Sequence, residues 1–381
     1  MSSPSTAAPY AISIDDVLAA EQRIQSFIHQ TPVMTCEAVN QRVLSTLASS
    51  TTSTSSSSPV HIYFKCELFQ KSGSFKARGA SNAVALLSTE EANKGVCTHS
   101  SGNHAGALAI AAQLRKIPAH IIMPSNAPLI KKLAVQNYQG IIYECEPTQA
   151  AREKKAKEIV EQTGAFFVHP SEDPRVIAGQ GTIILELLHQ MIPLQSLIHN
   201  VPSNYYTTKD TIEKYTILKQ YAQSLPNPLL NAVIIPIGGG GMISGIATVI
   251  KDFDPRIVII AAEPKEANDA YRSKIAGSIQ THPNPPRTIA DGLMTTLGPN
   301  SWPIVRDKVD HILCVSEEEI MESMRFIYER MKLVIEPSAA VGVAVLFGKD
   351  IKTIPNISFE HIGIVLCGGN VNLDTLPFVK K

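Results

Sequence analysis

The chain alternates short β-branched runs with segments of helical apolar spacing, and several runs end directly in glycine-rich or hydroxyl-rich turns. The runs HIYFKCELF, GVCTHSS, AHIIMP, IIYECE, FFVHP, NAVIIPIG, IVIIAAEP, HILCVS and GIVLCGG read as strands. Between them, Ala80 to Leu87, Ala105 to Leu114, Ala151 to Val160, Ile183 to Leu188 and Ile320 to Met331 carry the i, i+3, i+4 spacing of helices. Strand, helix, strand in succession implies βαβ units and parallel sheets covered by helices. In such sheets ligands sit beyond the carboxyl ends of the strands, at helix N-termini. Ser13 followed by Asp16 predicts a capping-box entry into the first helix.

Composition removes several alternatives. Lys plus Arg total 34 and Asp plus Glu total 34, so net charge is zero and a broad nucleic-acid-binding surface is not expected. The 381 residues suffice for two to three domains. Six cysteines without a CxxC pair read as reduced thiols. No apolar run is long enough to span a bilayer and the N-terminus lacks a signal-peptide pattern, so a cytoplasmic location and no membrane partner are expected. Two polar stretches interrupt the pattern. Residues 45–58 form a Ser/Thr tract expected to be a surface loop, and 192–231 is expected to be a surface excursion with one short helix.

Four strand ends carry candidate chemistry. KSGSFKARG sets Lys76 in a first helical turn, where a cation opposes the helix dipole by about 0.3–1 kcal/mol and an uncharged lysine would not. An ordinary first-turn lysine is the plain alternative. SSGNH places Ser100, Ser101, Gly102, Asn103 and His104 at a helix start, a cradle for a carboxylate or simply a capped N-terminus. PIGGGGMISGIA offers the amides of Gly238, Gly239, Gly240, Gly241 and Met242 to a phosphate. A dinucleotide site is the competing reading, with Glu263 about 20 residues on as the ribose acid, but Ser244 stands where GxGxxG needs its third glycine. Finally, Cys367 ends the last strand in VLCGGN and Glu336 opens the helix of IEPSAAVGVA. Read alone, these are a buried thiol and a carboxylate satisfying the helix dipole.

ELFQKSGSFKARGA, SSGNHAGALA, VIAGQGTI, PIGGGGMISGIA, IEPSAAVGVA and LCGGNV, in this order over nearly the whole chain, resemble the fold-type II pyridoxal-phosphate enzymes of the serine racemase and serine/threonine dehydratase family. The resemblance implies an α/β, tryptophan-synthase-β-like fold of two open twisted sheets flanked by helices. Residues 1–96 and 174–381 would form the large cofactor domain and 97–173 the small one. Lys76 would hold pyridoxal 5'-phosphate covalently, Gly238 to Gly241 and Met242 its phosphate, and Asn103 its ring hydroxyl. Cys367 would face the pyridine nitrogen as a weak acid partner, with Glu336 beside the cofactor.

The implied reaction is dehydration and deamination of L-serine or L-threonine to a 2-oxo acid and ammonia, with serine racemisation as a second outcome. Ser100 to His104 would hold the substrate carboxylate, Lys76 would remove the α-proton, and Ser101 would act as acid on the opposite face. Arg152 stands near the substrate, which brings in a threo-3-hydroxyaspartate ammonia-lyase as an alternative; a solvated helix charge is its plain reading. A non-catalytic nucleotide-binding or regulatory protein of the same fold is the third possibility. Glu263, Ala267 and Asp269 correspond to a divalent-cation site suited to Mg²⁺ or Ca²⁺, and a homodimer is implied. Departures are Cys36 and Glu37 at the family's ATP-contacting hydroxyls, Gly106 for a glutamine and Ser171 for an asparagine. Glu37 would repel a triphosphate, which argues against ATP activation.

Overall fold

The computed structural model describes residues 10–48, 59–100, 102–127, 129–194, 201–355 and 358–378. Ten strands appear among them: β1 (Val33–Met34), β2 (His61–Cys66), β3 (Val96–His99), β4 (Ala119–Pro124), β5 (Ile141–Cys145), β6 (Phe166–Phe167), β7 (Ala232–Pro236), β8 (Val258–Pro264), β9 (His311–Val315) and β10 (His361–Leu366). The nine expected runs are all strands, and β1 is additional.

The strands form a six-stranded sheet, β1-β2-β10-β7-β8-β9, and a four-stranded sheet, β5-β4-β3-β6. Every pairing is parallel except the short antiparallel contact of β1 with β2. β4 and β7 are buried along their whole length, as parallel strands covered on both faces require.

Each sheet has its own apolar core. The core of the smaller sheet takes in Ala80, Ala83, Val84 and Leu87, which precede the expected boundary at 97. These come from the helix Lys76–Ala85 and its end, while Phe75, at that helix's start, belongs to the core of the larger sheet. The lysine-bearing helix therefore lies between the two bodies. It is held by close approach: a Cβ on Gly179, in the helix Pro174–Leu194, would lie 2.6 Å from the Gly79 Cα. A Cβ on Gly245, in the helix Gly241–Phe253, would lie 2.4 Å from the Ile177 carbonyl oxygen.

Two expectations are corrected. The helix Glu37–Ala48 continues into the Ser/Thr tract, so 45–48 are helical and only 49–58 lie outside the described residues. The 192–231 stretch holds two helices, Ser203–Thr207 and Thr211–Ser224, and the second is fourteen residues long. It is not a surface excursion, because Tyr205, Tyr215, Leu218 and Ala222 are buried in the main core. Polar residues on its outer face masked an apolar i, i+3, i+7 stripe. The capping box at Ser13 and Asp16 is present as expected. No described helix is long and apolar enough to cross a membrane.

Candidate active site

The carboxyl ends of β2, β3, β7 and β10 converge on a cavity of about 640 Å³ between the two sheets. It is lined by residues from all four expected motifs, Lys76, Ser100, Asn103, Gly238 to Met242, Glu336 and Cys367 among them. Ser101 lies outside the described residues.

Lys76 is the first residue of its helix, and its Nζ donates to the Pro170 carbonyl at 2.7 Å. Loss of water around the amine pushes its pKa down to about 8, against the opposing pull of Cys367 and Glu336. The loop before it is locked to the last strand's end: Phe75 N–H donates to the Cys367 carbonyl and Gly369 N–H to the Gly73 carbonyl, each at 3.0 Å. Ser72 adopts a left-handed conformation (φ 58°) unusual for serine, and its carbonyl accepts from Asn370 Nδ2 at 2.8 Å.

The helix Asn103–Arg115 starts without a side-chain cap, on Gly102. Ser100 Oγ instead accepts the Gly102 N–H at 3.3 Å. The Ala105 amide closes on the Gly102 carbonyl at 3.1 Å, and the Asn103 and His104 amides remain open to a carboxylate in the cavity. Asn103 turns the other way, donating from Nδ2 to both Glu336 oxygens at 2.8 and 3.0 Å while its Oδ1 accepts from Asn370. His104 is buried with neither ring nitrogen bonded, and burial holds it well below the usual histidine range.

Glu336 is 4 % exposed and does not cap its own helix. Burial raises its carboxyl to about 7, opposed by the Asn103 hydrogen bond. Cys367, 2 % exposed, has a thiol pushed well above its ordinary value by burial and by Glu336, so it is a neutral S–H.

The glycine run leaves β7 and enters a helix at Gly241, with Gly240 at φ 80° as the cap. Side chains are excluded here by space. A Cβ on Gly238 would lie 2.9 Å from Leu293 Cα, and one on Gly239 would lie 2.6 Å from Ser171 Oγ. Ser171 Oγ is buried without a partner and faces this run. A tight loop of amides with an unpaired hydroxyl beside it fits a phosphate.

Arg152 reaches the cavity from the helix Gln149–Thr163, and its Nε is buried without a partner. Across the mouth, Lys131 pairs with Asp291. That pair, Pro170 and the 285–296 loop were not legible beforehand, since each is placed by contacts between distant segments.

Glu263 does not line this cavity. Its Oε1 accepts from Ala270 N–H at 2.8 Å and its Oε2 from Tyr271 N–H at 2.9 Å. It is thus unavailable as the ribose acid of a dinucleotide site. Burial, with Asp269 adding to it, pushes the Glu263 carboxyl up to about 8. Asp269 and Ala267 are fully buried beside it. Among the described residues no three His, Cys, Asp or Glu side chains gather as a metal cluster. The implied site has two carboxylates and a backbone carbonyl, and two acids buried side by side, each raised chiefly by burial, fit a cation between them.

A cavity-facing lysine of lowered pKa, an amide cradle for phosphate and a neutral thiol at the end of the last strand define a pyridoxal-phosphate site on a fold-type II scaffold. Residues 39–368 match the model of the pyridoxal-phosphate dependent enzyme family. The chain belongs to this family. It is 42% identical to the serine racemase of Bos taurus over 375 residues, covering 98% of this chain and 97% of that one. The structure of maize serine racemase superposes with a TM-score of 0.80 at 40% identity, covering 96% of each chain. The structure of serine racemase from Dictyostelium discoideum does so at 0.77 and 37%, covering 95% of this chain and 100% of that one. A solved threonine deaminase superposes at 0.78 with 34% identity, covering 95% of this chain and 99% of that one.

Proposed function

We propose that the chain dehydrates and deaminates L-serine or L-threonine to a 2-oxo acid and ammonia, and also interconverts the serine enantiomers. The observation that carries this reading is the Lys76 amine, lowered to about 8 and aimed into a cavity whose other walls are open helix amides and the glycine run. Pyridoxal phosphate, when bound, supplies the electron sink that makes the amino-acid α-hydrogen acidic. Gly238, Gly239, Gly240, Gly241, Met242 and Ser171 would hold its phosphate, and Asn103, Glu336 and Cys367 its ring.

The substrate carboxylate is received by Ser100, Gly102, Asn103 and His104, which fixes the α-hydrogen toward Lys76. Neutral Lys76 takes that proton. The β-hydroxyl leaves as water, and hydrolysis then releases ammonia and the 2-oxo acid. Ser101, which lies outside the described residues, is in this reading the acid that returns a proton to the α-carbon in racemisation. Cys367 keeps its own proton and would therefore not hold a full positive charge at the ring nitrogen, which would favour elimination and proton exchange.

Arg152 supports a second reading, in which threo-3-hydroxyaspartate is a substrate whose β-carboxylate meets the unpaired Nε. The holoenzyme, supplied separately with L-serine, D-serine, L-threonine and threo-3-hydroxyaspartate, is expected to release keto acid from one or more of them. Arg152→Met is expected to lower kcat/KM for 3-hydroxyaspartate by about 10–100-fold while changing L-serine by much less, since a charged hydrogen bond contributes about 1.5–3 kcal/mol. Equal losses on both substrates would remove this role. Glu263, Ala267 and Asp269 form the site for Mg²⁺ or Ca²⁺ in this reading, and the enzyme is a cytoplasmic homodimer. Glu37, already bonded to Asn40 and Gln41, leaves no welcome for ATP.

A further inference from the structure

Two buried carboxylates lie side by side at the end of β8, and protein donors already meet all four of their oxygens, the Cys314 thiol adding a fifth contact at 4.0 Å to Glu263 Oε2. Ala270 and Tyr271 amides take Glu263, the Leu297 amide donates to Asp269 Oδ2 at 2.9 Å, and His282 Nε2 lies 3.1 Å from Asp269 Oδ1.

The His282 contact has a fixed direction. Its Nδ1 lies 3.2 Å from Arg272 Nη2, and a guanidinium can only donate. Nδ1 must therefore accept, which leaves the ring hydrogen on Nε2, pointing at Asp269. Arg272 is itself anchored, through Nε to Asn268 Oδ1 at 3.0 Å and through both terminal nitrogens to the Thr281 carbonyl at 3.2 Å. A cation's charge thus reaches Asp269 through an imidazole whose tautomer is set. Asp269 in turn holds the Leu297 amide, and Leu297 belongs to the loop packed on the glycine run: its Cδ2 would lie 2.6 Å from a Cβ on Gly240.

We propose that the Arg272–His282 pair stands in for a cation at Asp269, so that the carboxylate pair keeps the 291–298 loop against the glycine run with or without a divalent metal. This rests on the reading of Glu263, Ala267 and Asp269 as a cation site. A metal arriving there would have to share the carboxylates with donors already in place, and the gain from binding would be small. Removing His282 leaves a buried acceptor short of a donor, and a metal then has an open oxygen to fill.

The test is the melting temperature of the holoenzyme in chelator, in Mg²⁺ and in Ca²⁺. Wild type is expected to melt at nearly the same temperature in all three. His282→Ala is expected to melt roughly 2–8 °C lower in chelator, the loss expected from an unmet buried acceptor, and to regain most of this with Mg²⁺ or Ca²⁺. His282→Gln, whose amide can still donate to Asp269, is expected to stay indifferent to metal. A wild type that gains as much from metal as His282→Ala leaves the cation site standing and removes the stand-in. A His282→Ala protein that no metal raises removes the cation site itself, and the proposal with it.

Discussion

Lys76 is pulled in two directions, and the balance decides its chemistry. Enclosure lowers its pKa to about 8, and the opposing pull of Cys367 and Glu336 is too weak to restore the ordinary value. At pH 7 about one amine in ten is then neutral, against fewer than about one in a thousand for a free lysine near 10.4. Only the neutral amine attacks an aldehyde, and its fraction rises with pH until the lowered pKa is passed. The rate at which apoprotein takes up pyridoxal phosphate, followed by absorbance, should therefore climb through neutral pH and flatten above about 8. A rate still climbing steeply beyond pH 9.5 would show an ordinary lysine. Glu336 carries a related lesson, for its place at a helix start suggests a dipole partner, yet its side chain is held by Asn103. That turn depends on a residue 233 positions away, which no local pattern encodes.

At the scale of elements, the site is positioned by helices that touch through glycines. The Lys76 helix meets the helix Pro174–Leu194 at Gly79 and Gly179, and the latter meets the glycine-run helix where Gly245 approaches Ile177 and Gly181. These contacts leave no room for a methyl group, and at Gly179 and Gly245 what they press on is backbone. Gly245→Ala is expected to cost about 1–3 kcal/mol of stability, as overpacking does, and to weaken cofactor binding because the phosphate cradle begins the same helix. Urea denaturation and a pyridoxal-phosphate titration check both, and an unchanged midpoint with unchanged affinity would contradict the packing argument. The strand–turn–helix motifs were legible because each is local, with a β-branched run, a turn and a small-residue helix in direct succession. The helix Thr211–Ser224 was less legible because its polar face dominates, although Tyr215, Leu218 and Ala222 already gave its buried side. Cross-sheet contacts such as Lys131 with Asp291 had no signal at all, since topology alone brings them together.

For the whole molecule, the two parallel sheets matter because their strands' carboxyl ends face one cavity, and the loops that close it come from both. Helix amides for an anion, an amine of lowered pKa and a proton-retaining thiol converge there, which is the set that proton removal next to a carboxylate requires. The most direct measurement is to give the purified holoenzyme L-serine and follow pyruvate and D-serine together, beside Lys76→Ala. Pyruvate and D-serine should both form, and Lys76→Ala should lower both rates by about 10²–10⁴-fold or more, the range for losing a proton-transfer group. A wild-type holoenzyme that forms neither product, or a Lys76→Ala protein that forms them as fast, would contradict the account.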